Sequence, residues 1–369
     1  MVEWKKLGDV CEVLDSQRKP VSKGKRTKGA YPYYGANGIQ DYVDDYLFDG
    51  TFLLMGEDGS VINKDKSPVL HWAEGKIWVN NHAHILKGSD SALLRYLYYM
   101  LQCVDVTDIV RGVPPKINQA NMRNILIPVP SLSEQTRIVG ILDTFTASIE
   151  NLKQQIAQRR KQYEHYRDQL LDLEGKEGNS IKCWGGFCEM VKGNGVQKVD
   201  FVESGKGCIH YGQIYTYYGS YAYSTNKFVS EKVFKKAKKA SYGDLIMTDT
   251  SENVEDICKT VAYLGKDDIA VSNHALIIKH HQNPRFLSYS TQTNSFLIQK
   301  RKVVVGVKVS GIKPEHLAQI KIYLPSIEEQ SRIVSILDTF EASIANLEQQ
   351  LAQRERQYEY YRNKLLTFE

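Results

Sequence analysis

A segment of 42 residues occurs twice in this 369-residue chain. From Pro130 it reads PSLSEQTRIVGILDTFTASIENLKQQIAQRRKQYEHYRDQLL, ending at Leu171. From Pro325, 195 positions on, it reads PSIEEQSRIVSILDTFEASIANLEQQLAQRERQYEYYRNKLL, ending at Leu366. The copies agree at 29 of 42 positions without a gap, which chance does not produce. The chain is therefore two halves, each a variable block followed by nearly the same segment.

The repeated segment reads as helix. A proline precedes each start, and Ser131 or Ser326 is followed three residues later by Glu134 or Glu329, the capping-box spacing. Gly and Pro are then absent except for Gly140. Apolar residues recur at alternating steps of four and three, at Ile138, Leu142, Phe145, Ile149, Leu152, Ile156, Tyr163, Tyr166 and Leu170. The second copy has Ile333, Leu337, Phe340, Ile344, Leu347, Leu351, Tyr358, Tyr361 and Leu365, and Arg159 and Arg354 interrupt the stripe at matching places. So narrow an apolar stripe is a coiled-coil seam; the alternative is an amphipathic helix lying on a globular core. About 40 residues give ~60 Å of helix at ~1.5 Å per residue. If the two helices pair in parallel, the block between them has to span that length. Antiparallel pairing lets a compact block enter and leave at one end. The expected architecture is α+β: two similar α/β domains separated by two long antiparallel coiled-coil helices, a dumbbell with a pseudo-twofold axis. The expected divisions are 1–130, helix 131–173, a polar linker 174–180, 181–324 and helix 325–369.

The variable blocks resemble each other faintly, as in Val79-Asn80-Asn81-His82-Ala83 and Val271-Ser272-Asn273-His274-Ala275. Tyr33-Tyr34-Gly35-Ala36-Asn37-Gly38 carries an Asn-Gly hairpin signal. Lys76–Val79 and Ala275–Lys279 read as strands, and one helix per block is expected, at Ser91–Gln102 and near Arg285–Lys300. The formal net charge of +5 conceals an uneven distribution. Residues 1–130 carry 16 basic against 15 acidic side chains and residues 175–324 carry 21 against 13, while the repeated helices are neutral or acidic. Basic runs such as Lys232–Lys239 and Lys300-Arg301-Lys302 are often solvated faces. Here they accompany loops rich in Tyr, Asn, Gln and Gly. Cations hold a phosphate backbone, and amides and guanidinium groups read base edges, so nucleic acid is the partner that fits. The candidate DNA face is Lys25, Arg26, Lys28, Tyr34, Asn37, Arg111 and Lys116 in the first block. In the second it is Tyr211, Gln213, Tyr217, Lys235, Lys238 and Lys302.

Catalytic signatures are missing: no Walker A pattern, no HExxH, no GxSxG and no Asn/Asp-Pro-Pro-aromatic motif. His82 and His274 share a context but have no nucleophile or acid at a fixed spacing, so a structural or DNA-facing role is the better account. Cys183 and Cys188 lack a second pair of zinc ligands, and the six cysteines read as reduced thiols in a cytoplasmic protein. No apolar run approaches the ~18 residues of a membrane span, and the N-terminal residues have no apolar signal core.

Two divergent blocks, each followed by Pro-Ser-x-x-Glu-Gln-x-Arg-Ile-Val-x-Ile-Leu-Asp and then Arg-x-x-Gln-Tyr-Glu-x-Tyr-Arg-x-x-Leu-Leu, resemble the specificity (S) subunit of type I restriction–modification systems, as does the opening Glu3-Trp4-Lys5-Lys6-Leu7-Gly8-Asp9-Val10. The resemblance covers essentially the whole chain. It implies two target recognition domains, each reading half of a bipartite site on double-stranded DNA. It implies that Ile138–Leu173 and Ile333–Phe368 set the spacing and dock two methyltransferase (M) subunits. It also implies a chain with no catalysis and no cofactor of its own. S-adenosylmethionine then belongs to the M subunits, and ATP and Mg to the restriction (R) motor-nuclease subunits. A ~60 Å spacer lies along about 18 base pairs at ~3.4 Å each. Two alternatives stand beside this reading: a specificity subunit serving a fused type II methyltransferase–nuclease, and a coiled-coil adaptor that binds proteins.

Overall fold

A computed structural model describes residues 2–173, 180–306 and 310–368. The linker expected at 174–180 lies, apart from Ser180, outside the described residues. The fold is α+β, with two sheet-rich units and two 40-residue helices, Leu132–Leu171 and Ile327–Leu366. Contacts divide the chain into Met1–Gln154 with Glu348–Glu369 (unit 1) and Gln155–Leu347 (unit 2).

Unit 1 contains strands β1 (Glu3–Lys6), β2 (Cys11–Val13), β3 (Lys28–Gly35), β4 (Gly38–Val43), β5 (Phe48–Gly56), β6 (Leu70–Val79), β7 (Ala83–Gly88) and β8 (Leu126–Val129). Six of them form one sheet in the order β2-β7-β5-β6-β3-β4, and β1 pairs antiparallel with β8. The predicted hairpin is β3–β4. Ala36 and Asn37 make the turn, and Gly38 takes the left-handed φ of +88° that a residue with a Cβ adopts only with strain. The predicted helix in this block spans Leu94–Leu101 and buries Tyr96, Leu97, Tyr99 and Leu101 completely.

Unit 2 repeats this plan. Glu189–Lys192, Ala275–Lys279, Leu245–Thr248 and Thr260–Tyr263 run in the same order and with the same antiparallel pairings as β2, β7, β5 and β6. Ser180–Cys183 pairs with Lys321–Leu324 just before the second long helix, as β1 pairs with β8 before the first. The helix expected near Arg285–Lys300 is two, Pro284–Ser290 and Asn294–Val303, each capped by an Asn or Thr side chain on a backbone N–H. Loop contacts match as well. The Glu57 N–H donates to the His82 carbonyl (2.9 Å), and its counterpart Asp249 donates to His274 (3.2 Å). Ile117 N–H donates to the Glu57 carbonyl and Ile312 N–H to that of Asp249. The kinship that was faint in sequence is carried by backbone bonds, which leave side chains free to diverge.

The long helices begin as the serine positions predict. Ser131 Oγ accepts from Glu134 N–H (3.4 Å), and Ser326 Oγ from Glu329 N–H (3.3 Å). Each glutamate carboxylate meets an arginine one turn on, Arg137 or Arg332. In unit 1, Phe145 stacks on Tyr361 near the end of the second helix, with ring centroids 5.3 Å apart. In unit 2, Tyr166 stacks on Phe340 near its beginning, again at 5.3 Å. The arginines that interrupt the apolar stripe lie over these phenylalanines, Arg354 over Phe145 and Arg159 over Phe340.

The stripe does not serve a single seam. Ile138 and Leu142 are buried in the core of unit 1 with Tyr96, Tyr99, Ile127 and Leu366; Ile333 and Leu337 are buried in that of unit 2 with Phe286, Tyr289 and Ile322. Ile156 is buried. Ile149, Leu152, Tyr163, Leu170, Ile344, Leu347, Leu351, Tyr358 and Leu365 are half-buried, while Tyr166 and Tyr361 keep over two-fifths of their surface exposed. Among the described residues, no helix is long and apolar enough to cross a membrane.

Candidate nucleic-acid interface

Each unit is fastened to its long helix by one set of side chains supplied twice. Gln135, fully buried, accepts from Leu93 N–H (2.9 Å) and donates to the Ser91 and Pro130 carbonyls (2.9 Å each). Gln330, also fully buried, accepts from Asn283 N–H (3.0 Å) and donates to the Pro325 carbonyl (2.9 Å) and Gln282 Oε1 (2.8 Å). Asp143 receives Arg95 (2.8 Å) and Tyr99 (2.5 Å), and Asp338 receives Arg285 (2.5 Å) and Tyr289 (2.8 Å). The arginine and tyrosine stand four apart on the short helix of their unit, so both point to the same face. Arg95-x-x-x-Tyr99 and Arg285-x-x-x-Tyr289, 190 positions apart, are a repeated signal the sequence reading overlooked.

In unit 1 the loops between strands gather into one polar rim. Asn80 N–H bonds to the Tyr34 carbonyl, and the Asn80 side chain approaches Gln40. His82 pairs with Asp58, and Gly59 N–H donates to the Pro115 carbonyl (2.9 Å). The loop Arg111–Lys116 closes on itself through two backbone bonds, Arg111 N–H to Lys116 (2.9 Å) and the reverse (2.7 Å).

Beneath this rim lies a buried ionic network. His84, with no exposed surface, places Nδ1 2.6 Å from Asp15 and Nε2 2.8 Å from the Ile117 carbonyl. Arg18 donates to Glu57 (2.5 Å) and to the Ala83 carbonyl (2.8 Å), and Lys116 lies 3.1 Å from the other Glu57 oxygen. Burial acts to raise the carboxyl of Asp15. Bonds from His84, Ile85 N–H and Gln119 outweigh it and hold the group below its ordinary range. Glu57 is likewise held down, against burial, by Arg18, His84 and Lys116. Ligand atoms of Asp15, Glu57 and His84 all lie within 4.8 Å of one another, as they would around a cation. The guanidinium of Arg18 and the ammonium of Lys116 already supply that positive charge, so the cluster fits an ionic brace better than a metal centre. Cys183 and Cys188 belong to no such group among the described residues.

The sequence candidates separate on this geometry. Lys25, Lys28, Asn37, Arg111 and Lys116 are exposed in unit 1, and Tyr217, Lys235, Lys238 and Lys302 in unit 2. Tyr34 is not available: it is 8% exposed, in the core with Phe52 and Ile85, because both faces of its strand are covered here, Tyr33 packing with Trp78 on the other side. Arg26 is committed locally, bonded to the Val21 carbonyl and to Asp41, with its guanidinium over the Tyr33 ring at 4.1 Å. Gln213 is committed too. It accepts from His210 N–H (2.9 Å), completes the cap of the Tyr211–Thr216 helix, and bonds Asn226. Tyr211 is half-buried against the rings of His210 and His274. Lys300 lies inside unit 2, donating to the Glu255 and Ile257 carbonyls (2.8 and 2.9 Å), and burial lowers its ammonium from the ordinary value.

The chain matches the family described as the Type I restriction modification DNA specificity domain over residues 1–159 and 178–356. A Haemophilus influenzae protein assigned as a type I restriction enzyme specificity subunit is 33% identical, across all of this chain and 96% of its own length. An Escherichia coli type I restriction enzyme specificity subunit is 26% identical, across all of this chain and 94% of its own. The crystal structure of the S subunit of a type I restriction–modification system from M. genitalium shares the fold, with a TM-score of 0.64 at 14% identity. That match covers the whole chain and 97% of that structure. With both variable blocks and most of both repeated helices inside the match, this chain belongs to the type I restriction–modification specificity subunits, a family that confers specificity and is not itself catalytic.

Proposed function

We propose that this chain is the DNA-reading subunit of a type I restriction–modification complex. Each recognition domain (about 1–130 and 181–324) reads one half of a bipartite duplex site, and the long helices set the spacing and dock two methyltransferase subunits. The observation that carries this reading is the pairing of sameness and difference. The two units share a strand order and the same Gln, Asp and Arg-x-x-x-Tyr attachment, while the blocks they are built from differ in sequence and charge. A shared mount with divergent faces suits two readers of unrelated half-sites. S-adenosylmethionine belongs to the methyltransferase subunits, and ATP and Mg to the restriction subunits that join the complex. On the rim, Lys25, Lys28 and Arg111, with Lys235, Lys238 and Lys302, hold phosphates; Asn37 and Tyr217 approach bases.

Methylome sequencing of cells expressing this chain with its methyltransferase subunit tests the proposal. The expected result is methylated adenine in an interrupted motif whose two halves are unrelated. An uninterrupted or palindromic motif that depends on this chain would overturn it. A gel shift with the methyltransferase subunits present separates the reading from a protein-binding adaptor, which would add no sequence preference.

A further inference from the structure

We propose that the tip of the Arg111–Lys116 loop, Val113-Pro114-Pro115, is an apolar wedge that presses against a base step of the duplex while Arg111 holds a flanking phosphate and Lys116, paired with Glu57, fixes the neck. The inference rests on the DNA-reading function proposed above.

Val113 is 100% exposed, and both prolines are exposed beside it. Val113 belongs to no hydrophobic cluster of the unit, so packing within the chain does not explain it. The loop is also rigid where a solvated loop need not be. Two backbone bonds close its neck, and Gly59 ties it at Pro115. Gly112 turns the chain at φ +80°, and the prolines fix their own φ. Its root is buried: Ile117 is fully enclosed, its N–H bonds to the Glu57 carbonyl and its carbonyl faces His84. Lys116 reaches back to Glu57, joining the neck to the ionic brace.

A rigid apolar point carrying cations at its neck has the composition of side chains that enter a groove and part a base step. Ordering costs little, because the tip is fixed before contact. A protein partner of comparable affinity would need a broader apolar patch. The surroundings here are Arg111, Lys116, Asp58 and His82, which suit phosphates and base edges.

The test uses the complete complex of this chain with its methyltransferase subunits, without S-adenosylmethionine, on duplexes bearing the mapped target. A 2-aminopurine is placed at each position of both half-sites in turn, apart from the methylated adenines. The wild-type complex should brighten the probe at one step in one half-site. Val113→Ala should abolish that signal and weaken binding about tenfold with the salt dependence unchanged, whereas Val113→Leu should keep it. Arg111→Ala should flatten the salt dependence by about one unit and retain the signal at saturation. Val113→Ala matching the wild type in both fluorescence and affinity would overturn the wedge. A wild-type complex that bound target and scrambled duplexes alike would overturn the DNA-reading function, and the wedge with it.

Discussion

Replacing Gln135 with methionine preserves the shape of the side chain and deletes its three hydrogen bonds. The Pro130 carbonyl is left in a fully buried setting; Leu93 N–H and the Ser91 carbonyl are left partly buried, within partial reach of water. A buried group stranded without a partner costs about 1–3 kcal/mol, and a partly hydrated one about 0.5–1. With no cavity to add, the sum is about 3 kcal/mol. The contacts to Leu93 and Ser91 hold the start of the Leu94–Leu101 helix, so their share, about 1–2 kcal/mol, falls on the free energy of opening that helix, while the Pro130 share falls on the start of the long helix. At about 1.4 kcal/mol per factor of ten, its amides should exchange roughly tenfold faster. Hydrogen–deuterium exchange with peptide resolution measures this directly. Gln330→Met should do the same to Pro284–Ser290 in unit 2 and leave the unit 1 helix unchanged. If Gln135→Met alters exchange less than about threefold, or if either variant loosens both helices equally, the buried glutamines are not the attachment points.

Three further outcomes are expected. Asn37→Ala should relax discrimination at one base pair of one half-site, whereas Lys25→Ala should weaken binding to target and non-target duplexes alike; titrations at several salt concentrations separate the two. Gln213→Ala should loosen the Tyr211–Thr216 helix by about 1–2 kcal/mol through loss of its cap, read by exchange in that peptide. Selective loss at a single base with the helix intact would return Gln213 to the reading face. Burial pushes the His280 imidazole down to about 4. Between pH ~6.5 and ~4 the unfolded chain therefore binds a proton that folded unit 2 does not, and acidification across that window removes at most about 3 kcal/mol. Urea midpoints of unit 2 should fall over that range and fall less in His280→Gln; identical slopes would show that His280 does not titrate this way.

What could be read in the sequence followed from where the information is stored. The long helices are periodic patterns of side chains, so their extent and capping serines were legible, and the Asn-Gly hairpin was local. The likeness of the two sheet-rich units was not, because backbone pairings such as Leu53–Gly56 with Ala83–Leu86 and Leu245–Thr248 with Ala275–Ile278 tolerate almost any apolar sequence. The site candidates failed where direction mattered. Tyr34 has the chemistry of a DNA face but points inward, and Arg26 and Gln213 spend their donors on neighbouring loops. The buried brace of Asp15, Arg18, Glu57 and His84 joins residues up to 69 positions apart, a distance over which no spacing rule operates.

The composition of unit 1 from both extremes of the chain has a consequence for how the protein is made. Synthesis runs from the N-terminal side to the C-terminal side, and domains generally fold as they emerge. Unit 2, Gln155–Leu347, is continuous and complete before residue 348 is added. Unit 1 is not: Leu366, 4% exposed, and Tyr358, Leu365 and Phe368 are part of a core whose other members, Leu7 to Leu142, were translated more than 200 residues earlier. Of the two units, unit 1 is therefore begun before unit 2 and finished after it, and it waits with an open apolar face. A premature stop after Leu347 would injure the N-terminal domain and leave the second one whole.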